Sequence, residues 1–289
     1  MPTDIIQWFP GHMAKTRRLM KENLKNVDVV IELLDARIPR SSRNPEIEKL
    51  IEGKPLVTLL NKSSLADPDA TDRFCAYYKS KGGVCLAVDC VNGKGMDKLM
   101  PAIRSLLSDK LERYAQKGMN GRKLRAMVVG IPNVGKSSLI NRLCGGKKAK
   151  VENRPGVTLI PQWITTSMGL DLMDMPGVLW PRFDDRCTGE NLAITGAIKD
   201  DVVEIETLAI ALCHKLRRQY PALLTARYKL DAEQILDLSD VELFELIGRK
   251  RGFLISGGEV NAERTANTLL DEFRSAKIGR ITLDVLEGA

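Results

Sequence analysis

Leu124-Arg-Ala-Met-Val-Val129-Gly130-Ile-Pro-Asn133-Val134-Gly135-Lys136-Ser137-Ser138-Leu-Ile-Asn-Arg-Leu143 is an apolar run, a loop bounded by glycines, and the opening of an amphipathic stretch. Residues 124–129 are expected to form a buried strand and residues 137–143 the start of a helix. Between them, Gly130 to Ser137 matches Gly-x-x-x-x-Gly-Lys-Ser in the strand-loop-helix setting its mechanism requires. Glycines let backbone N–H groups turn inward around phosphate oxygens, and a helix N-terminus adds positive potential. The expected phosphate contacts are Asn133, Val134, Gly135, Lys136, Ser137 and Ser138, with Lys136 reaching the β and γ phosphates and the Ser137 hydroxyl ligating Mg²⁺. A chance glycine-rich turn is the competing reading, and the two flanking elements weigh against it.

Downstream, residues 164–173 read as a hairpin whose second strand delivers Asp174-Met-Pro-Gly177. Asp-x-Pro-Gly alone is a common turn. At this distance from the phosphate loop it has a chemical purpose: the carboxylate holds Mg²⁺ through water, and the Gly177 N–H reaches the γ-phosphate. In between, Arg154-Pro-Gly-Val-Thr158 offers a hydroxyl as a further Mg²⁺ ligand, or is simply a surface Pro-Gly turn.

No base-reading element follows Asp174, and the candidates lie upstream. Strands are expected over residues 27–34, 55–60 and 84–88, and helices over 45–51, 69–81 and 96–116. The second strand ends in Asn61-Lys62-Ser63-Ser64 and the third in Asp89-Cys90-Val91-Asn92-Gly93, resembling the Asn-Lys-x-Asp and Ser-Ala loops that read guanine. The guanine set is therefore Asn61, Lys62, Ser64, Cys90 and Val91, the last two offering backbone N–H groups to the base oxygen. Strands of a doubly wound sheet keep their places when the chain order is permuted, so all these loops still meet at the carboxyl edge. The expected fold is α/β, a circularly permuted P-loop GTPase domain with a mostly parallel sheet over residues 1–181, followed by a small helical domain over residues 182–289.

Composition agrees with two cores, since the chain has 289 residues with 44% hydrophobic content. A net charge of +7 favours a polyanionic partner such as RNA. The six cysteines show no Cys-x-x-Cys pair, so neither a zinc site nor a disulfide framework is expected. With no leader-like start and no apolar run near the roughly twenty residues that span a bilayer, a soluble, cytoplasmic monomer is expected.

Trp8-Phe-Pro-Gly-His12-Met-Ala-Lys15, Asp35-Ala-Arg-Ile-Pro39, the phosphate loop, Arg251-Gly-Phe-Leu-Ile-Ser-Gly-Gly258, Phe273-Arg274 and Ile281-Thr-Leu283 together resemble the circularly permuted GTPases of ribosome assembly. In particular they resemble the bacterial ribosome biogenesis GTPase A group, which acts on the large subunit. The resemblance covers essentially the whole chain. It implies GTP and Mg²⁺ as ligands, and hydrolysis that is slow until the subunit stimulates it. It also implies an apolar residue after Asp-x-x-Gly, here Val178, whose side chain cannot orient a water. The candidate that the resemblance offers for that task is His12, in what reads as a Gly-His-Met turn. Asn133 is similar to the asparagine that potassium-dependent GTPases use to hold K⁺. Two positions depart from the pattern: Ser64 stands where the family has an aspartate, and Leu159-Ile-Pro161 follows Thr158 where Lys-Gly is more usual. A single hydroxyl cannot make the aspartate's bidentate contact with guanine, so weakened base discrimination is expected.

Beyond residue 181, helices are expected near 188–198, 204–219, 231–236, 240–250 and 261–276, with Leu208, Leu212 and Leu216 at helical spacing. Lys215, Arg217 and Arg218, the run Arg249-Lys-Arg251, and residues 277–280 form basic clusters suited to rRNA phosphates, although solvated helix ends explain each one separately. The expected function is a GTPase that binds the immature large (50S) subunit and promotes a late assembly step. The alternatives are an assembly scaffold with little turnover and a permuted GTPase acting on another RNA complex.

Overall fold

The computed structural model describes residues 10–51, 53–119, 121–145, 162–166, 168–177, 179–180, 183 and 185–286, and only the backbone of residues 10–13. Thr158 with residues 154–161, Val178, Trp8 and the side chain of His12 lie outside the described residues.

Helix α1 (Pro10–Leu24) occupies the place where a turn around His12 is expected. Thr16, Met20 and Leu24 recur at every fourth residue and are buried, the stripe that holds an amphipathic helix against a core. Then come β1 (Val29–Asp35), α2 (Pro45–Leu50), β2 (Leu56–Asn61), α3 (Pro68–Ser80) and β3 (Val84–Ala87). These follow the expected order with small shifts at their ends. The Asp67 side chain caps α3 by accepting from the N–H of Asp69 and Ala70, and Pro68 follows in the first turn, where its missing N–H costs nothing.

The single helix expected over 96–116 is instead a 3-10 turn at Met96–Lys98 followed by α4 (Leu99–Leu106) and α5 (Ser108–Gln116). Leu107 between them has φ −107° and ψ 17°. Leu99, Met100 and Ile103 of α4 are buried, whereas α5 buries none of its residues, so the chain bends where its apolar stripe ends. Then follow β4 (Leu124–Val129), α6 (Lys136–Leu143), β5 (Gln162–Thr165) and β6 (Leu170–Asp174).

The sheet order is β3-β2-β1-β4-β6-β5, parallel throughout except for the antiparallel β5–β6 pair. All seven residues of β1 are buried, which explains its nearly continuous apolar run at the sheet centre. Chain order reverses between β1 and β4. A doubly wound sheet binds ligands at such a switch point, outside the carboxyl ends of the strands.

The remaining helices are α7 (Arg186–Ile194), α8 (Ile205–Gln219), α9 (Pro221–Tyr228), α10 (Gln234–Asp237), α11 (Asp240–Lys250) and α12 (Ala262–Arg274). Helix α9 is not among the expected elements; it starts on Pro221 and stops at Lys229, whose φ of 53° is left-handed. Leu208, Leu212 and Leu216 of α8 are buried as their spacing requires. One apolar core runs without a break from Leu33 and Val128 of the sheet to Leu212, Leu216 and Phe273 of the helices.

Past α12 the chain returns to the sheet. Ile281 N donates to Leu65 O at 3.2 Å and Leu283 N to Arg37 O at 2.7 Å. Thr282 Oγ1 donates to Ala36 O at 3.0 Å. The loops that follow β1 and β2 are thus held by the far end of the chain. Among the described residues no helix is long and apolar enough to cross a membrane.

Candidate nucleotide-binding site

The phosphate half of the crevice follows directly from β4. Gly135 has φ 106°, and a Cβ there would collide with Asn61 Nδ2, so the position needs glycine for both torsion and space. Helix α6 begins at Lys136 with no side chain capping it, leaving its first N–H groups for an anion. The Lys136 side chain is buried and its Nζ donates to Gly130 O and Ile131 O, both at 2.9 Å. Burial pushes its pKa down to about 8, with the Asp174 charge opposing the shift. The lysine therefore waits in the loop in contact with weak acceptors, ready to exchange them for phosphate oxygens.

Asp174 closes β6, in register with Val128 of β4, and is buried. Met175 N donates to Val128 O at 3.3 Å, continuing the pairing into the loop. A Cβ on Gly177 would collide with Lys136 Nζ and lie 3.1 Å from Pro132 N. The space in front of the lysine is thus kept clear by the absence of a side chain. The Ser137 hydroxyl on the first turn of α6 and the Asp174 carboxylate at the end of β6 are oxygen donors of the kind Mg²⁺ takes.

The base half is a junction of loops. Asn61, at the end of β2, donates from Nδ2 to Val134 O at 2.7 Å and accepts the Cys90 N–H at Oδ1 at 3.0 Å. One side chain therefore ties the phosphate loop, the β2 loop and the β3 loop together. Lys62 has φ 60° and pairs with Asp35 Oδ2 at 2.9 Å. Ser64 donates its hydroxyl to Asp89 Oδ2. Asp89 Oδ1 accepts from Val91 N at 2.9 Å and Asn92 N at 3.1 Å. The N–H groups of Cys90 and Val91, expected to face the base oxygen, are thus committed inside the protein, and Arg142 holds both carbonyls from α6. Burial pushes the Cys90 thiol up to about 12, so it is a neutral wall. The Val91 side chain is 77% exposed at the rim.

Sequence reasoning gave no role in this site to three groups that shape it, one of which, Arg280, it had counted among the basic clusters. Asp35 is buried and gripped by Arg37 through Nε at 2.9 Å and Nη2 at 2.7 Å. Burial would raise its carboxyl, but the charges of Arg37 and Lys62 outweigh that and hold it far below the usual carboxylate range. Arg280 donates to Ser63 O and Ala66 O, both at 2.9 Å, bracing the Asn61–Ser64 loop from the chain end. Asp89 is the third. The string Asp35-Ala-Arg-Ile-Pro39 was a visible signal; the carbonyl partners of Arg280, and Ser64 as the partner of Asp89, lie on other loops and left none.

Asn133 donates from Nδ2 to Gly196 O at 2.8 Å, joining the phosphate loop to the turn after α7. His214 on α8 faces Asp240 at 3.1 Å, a structural pairing away from the phosphate loop. Several of the basic clusters are also internal. Lys215 pairs with Glu190 at 3.5 Å, Arg217 with Asp240 at 2.6 Å and Arg251 with Glu272 at 2.6 Å. Arg251 and Arg280 are exposed as well as bonded, and Arg218, Arg249, Lys250 and Lys277 are exposed beside them.

A sheet entered at its second half, with Asn61 tied to the phosphate loop and the Asp174–Gly177 loop against Lys136, is the architecture of a circularly permuted P-loop GTPase. Residues 125–240 match the family model described as "50S ribosome-binding GTPase". The chain is 49% identical over 280 residues to "Ribosome biogenesis GTPase A" of Priestia megaterium, covering 96% of both chains. It is 35% identical over 305 residues to "Mitochondrial ribosome-associated GTPase 1" of Mus musculus, covering 97% of this chain and 90% of that one. It also superposes on the GNP-bound crystal structure of YlqF from T. maritima with a TM-score of 0.63 and 26% identity, covering 93% of this chain and 97% of that chain. The chain belongs to the ribosome biogenesis GTPase A family. Membership makes it a GTP hydrolase, binding GTP and GDP, with Mg²⁺ as is usual in the class.

Proposed function

We propose that the chain binds the large ribosomal subunit precursor through rRNA phosphates, serves a late step of its assembly, and hydrolyses GTP when the particle stimulates it. Residues 1–181 form the nucleotide-binding part and residues 182–289 the RNA-facing part. The names of the relatives point to the ribosome, and one observation carries the coupling: the 2.8 Å bond from Asn133 of the phosphate loop to Gly196 O of the helical part. Whatever binds the exposed Arg218, Lys250 and Lys277 is thereby linked to the loop that holds phosphate.

Within the site, the backbone of residues 133–138 and Lys136 hold the phosphates, and Gly177 reports the γ-phosphate. Asn61, Lys62 and Ser64 face the guanine, while Cys90 and Val91 shape its pocket. Ser137, Thr158 and, through water, Asp174 would hold Mg²⁺, which would supply charge neutralisation at the phosphates. Val178 cannot hydrogen-bond through its side chain, so the attacking water is positioned by His12 in the first turn of α1. That helix shares an apolar cluster with Met173 and Met175, which flank Asp174. Asn133 spends its amide nitrogen on Gly196, so its oxygen is the atom left to ligate K⁺.

Phosphate release measured with and without purified 50S particles, in K⁺ and in Na⁺, tests the reading. Stimulation by the particle is expected, with a further loss when Na⁺ replaces K⁺. His12→Ala should lose the stimulation while keeping its GDP affinity, the pattern of an interaction made in the transition state. A particle that binds without raising turnover would leave a nucleotide-dependent scaffold in place of this function.

A further inference from the structure

The chain lacks an aspartate at position 64, yet a carboxylate stands beside that position. Asp89 comes from the neighbouring strand's loop and accepts the Ser64 hydroxyl at Oδ2. Its other oxygen is filled by the N–H groups of Val91 and Asn92 at 2.9 and 3.1 Å. Burial alone would raise the Asp89 carboxyl, but the bonds from Ser64, Asn92 and Val91 outweigh it and keep the group below the usual carboxylate range. An ionised carboxylate has no proton to give, so the shared proton is the serine's.

This fixes a rotor that would otherwise be ambiguous. A free serine hydroxyl can donate or accept, and so cannot tell guanine from adenine at the N1 edge. With its proton on Asp89, Ser64 Oγ offers only lone pairs to whatever lies in front of it. Guanine presents N1–H and N2–H donors on that edge, whereas adenine presents the N1 lone pair. The half-buried Ser64 sits three residues past Asn61, the residue that is bonded to the phosphate loop, and beside the exposed Val91 rim. It is therefore on the same crevice as the phosphate half.

We propose that Ser64 and Asp89 act as one base-reading unit, in which Asp89 takes the hydroxyl proton and Ser64 Oγ becomes an acceptor-only contact for the N1–H and N2–H edge of guanine. Asp89 is a positioning residue and Ser64 the contact. This deepens the proposed guanine-binding role of Ser64 and rests on it. It also reverses the expectation of poor discrimination, and it changes what an aspartate at position 64 would do. Ser64→Asp on its own sets two carboxylates against each other at the same contact.

Competition titrations of GDP and ADP against a fluorescent guanine nucleotide, on the full chain, read this directly. Wild type should prefer GDP, and Ser64→Ala should weaken GDP by about 5- to 10-fold, the loss of one hydrogen bond strengthened by charge, without weakening ADP. Asp89→Asn is the sharper variant. Its amide nitrogen would donate to Oγ and turn the serine proton outward, so GDP should weaken while ADP tightens. Ser64→Asp should weaken GDP, and adding Asp89→Asn to it should restore the binding. A merely structural role for Asp89 predicts equal losses for GDP and ADP in Asp89→Asn, and that result overturns the proposal. So does a Ser64→Asp variant that binds GDP more tightly on its own. Lys136→Ala separates the two levels: if it leaves GDP affinity unchanged, the site assignment itself fails and the base-reading unit falls with it.

Discussion

The phosphate half of the crevice is one contiguous stretch, residues 130–138, shaped by backbone torsions and a helix start, whereas the base half is assembled from residues 61–64 and 89–92, braced by residues 280–283. In the first, the binding groups are mostly main-chain N–H groups, and the single charged side chain, Lys136, is parked on carbonyls of its own loop. In the second, side chains tie separate loops: Asn61 to Val134 and Cys90, Ser64 to Asp89, Arg280 to Ser63 and Ala66. A site built locally is robust to change elsewhere in the chain. One built from ties depends on every part that makes them.

The largest effect that would break this contrast is at Lys136. Lys136→Ala should lower GDP and GTP affinity by at least about 100-fold, the loss of charge-assisted bonds to phosphate. The melting temperature of the nucleotide-free protein should stay the same or rise, because the buried ammonium is held there at a cost. Calorimetric titration and a thermal melt on the same samples check both. A protein that loses its fold would show that the phosphate half also depends on distant ties.

A smaller effect comes from the titration of the same lysine. Its pKa in the nucleotide-free fold is pushed down to about 8, below the ordinary 10.5. The unfolded chain therefore holds the extra proton between those values, so this residue's unfavourable contribution to folding is full below pH 8 and fades above it. Bound phosphate restores the proton. Nucleotide binding above pH 8 must accordingly take up a proton, and affinity should fall about tenfold between pH 7 and 9. Titrations in two buffers of different ionisation enthalpy would show the uptake, and Lys136→Arg should lack it. A flat profile in wild type would mean that the ammonium stays charged in the loop.

The smallest effect sharpens the other side of the comparison. Arg280→Ala removes two bonds to the Asn61–Ser64 loop, each worth about 1.5 kcal/mol with an ionised donor at an exposed site. GDP affinity should drop only about threefold to fivefold, since part of the loop is still held by Ile281 N on Leu65 O. The ratio of GDP to ADP affinity should fall with it. Equal loss for both nucleotides would place the contribution of Arg280 on the phosphate half instead.

Much of the sheet was legible because its signals are local. The apolar run Leu124–Val129 and the loop ending in Lys136 lie side by side in the chain, and β2 ends where Asn61 was expected. The helices α1 and α9 were not foreseen, and the break at Leu107 was missed. In each case the deciding fact is which residues find a surface to bury against. Met20 is buried beside Met127 and Met173, residues far away in sequence. The basic residues teach the same point: Arg217 and Arg218 are neighbours, yet one is bonded to Asp240 and the other is exposed.

The amino-acid sequence by itself determined the phosphate loop, the Asp174–Gly177 loop, the permuted order of the strands and the position where serine replaces the usual aspartate. The loops and position 64 follow from residues within a few positions of one another, where torsion and spacing set the outcome, and the strand order follows from the order of those loops along the chain. Only the tertiary structure decided which group takes the serine hydroxyl's proton. Ser64 and Asp89 are brought together by the parallel pairing of β2 with β3. A hydroxyl takes its hydrogen-bonding sense from its partner, and no local rule of sequence could name that partner.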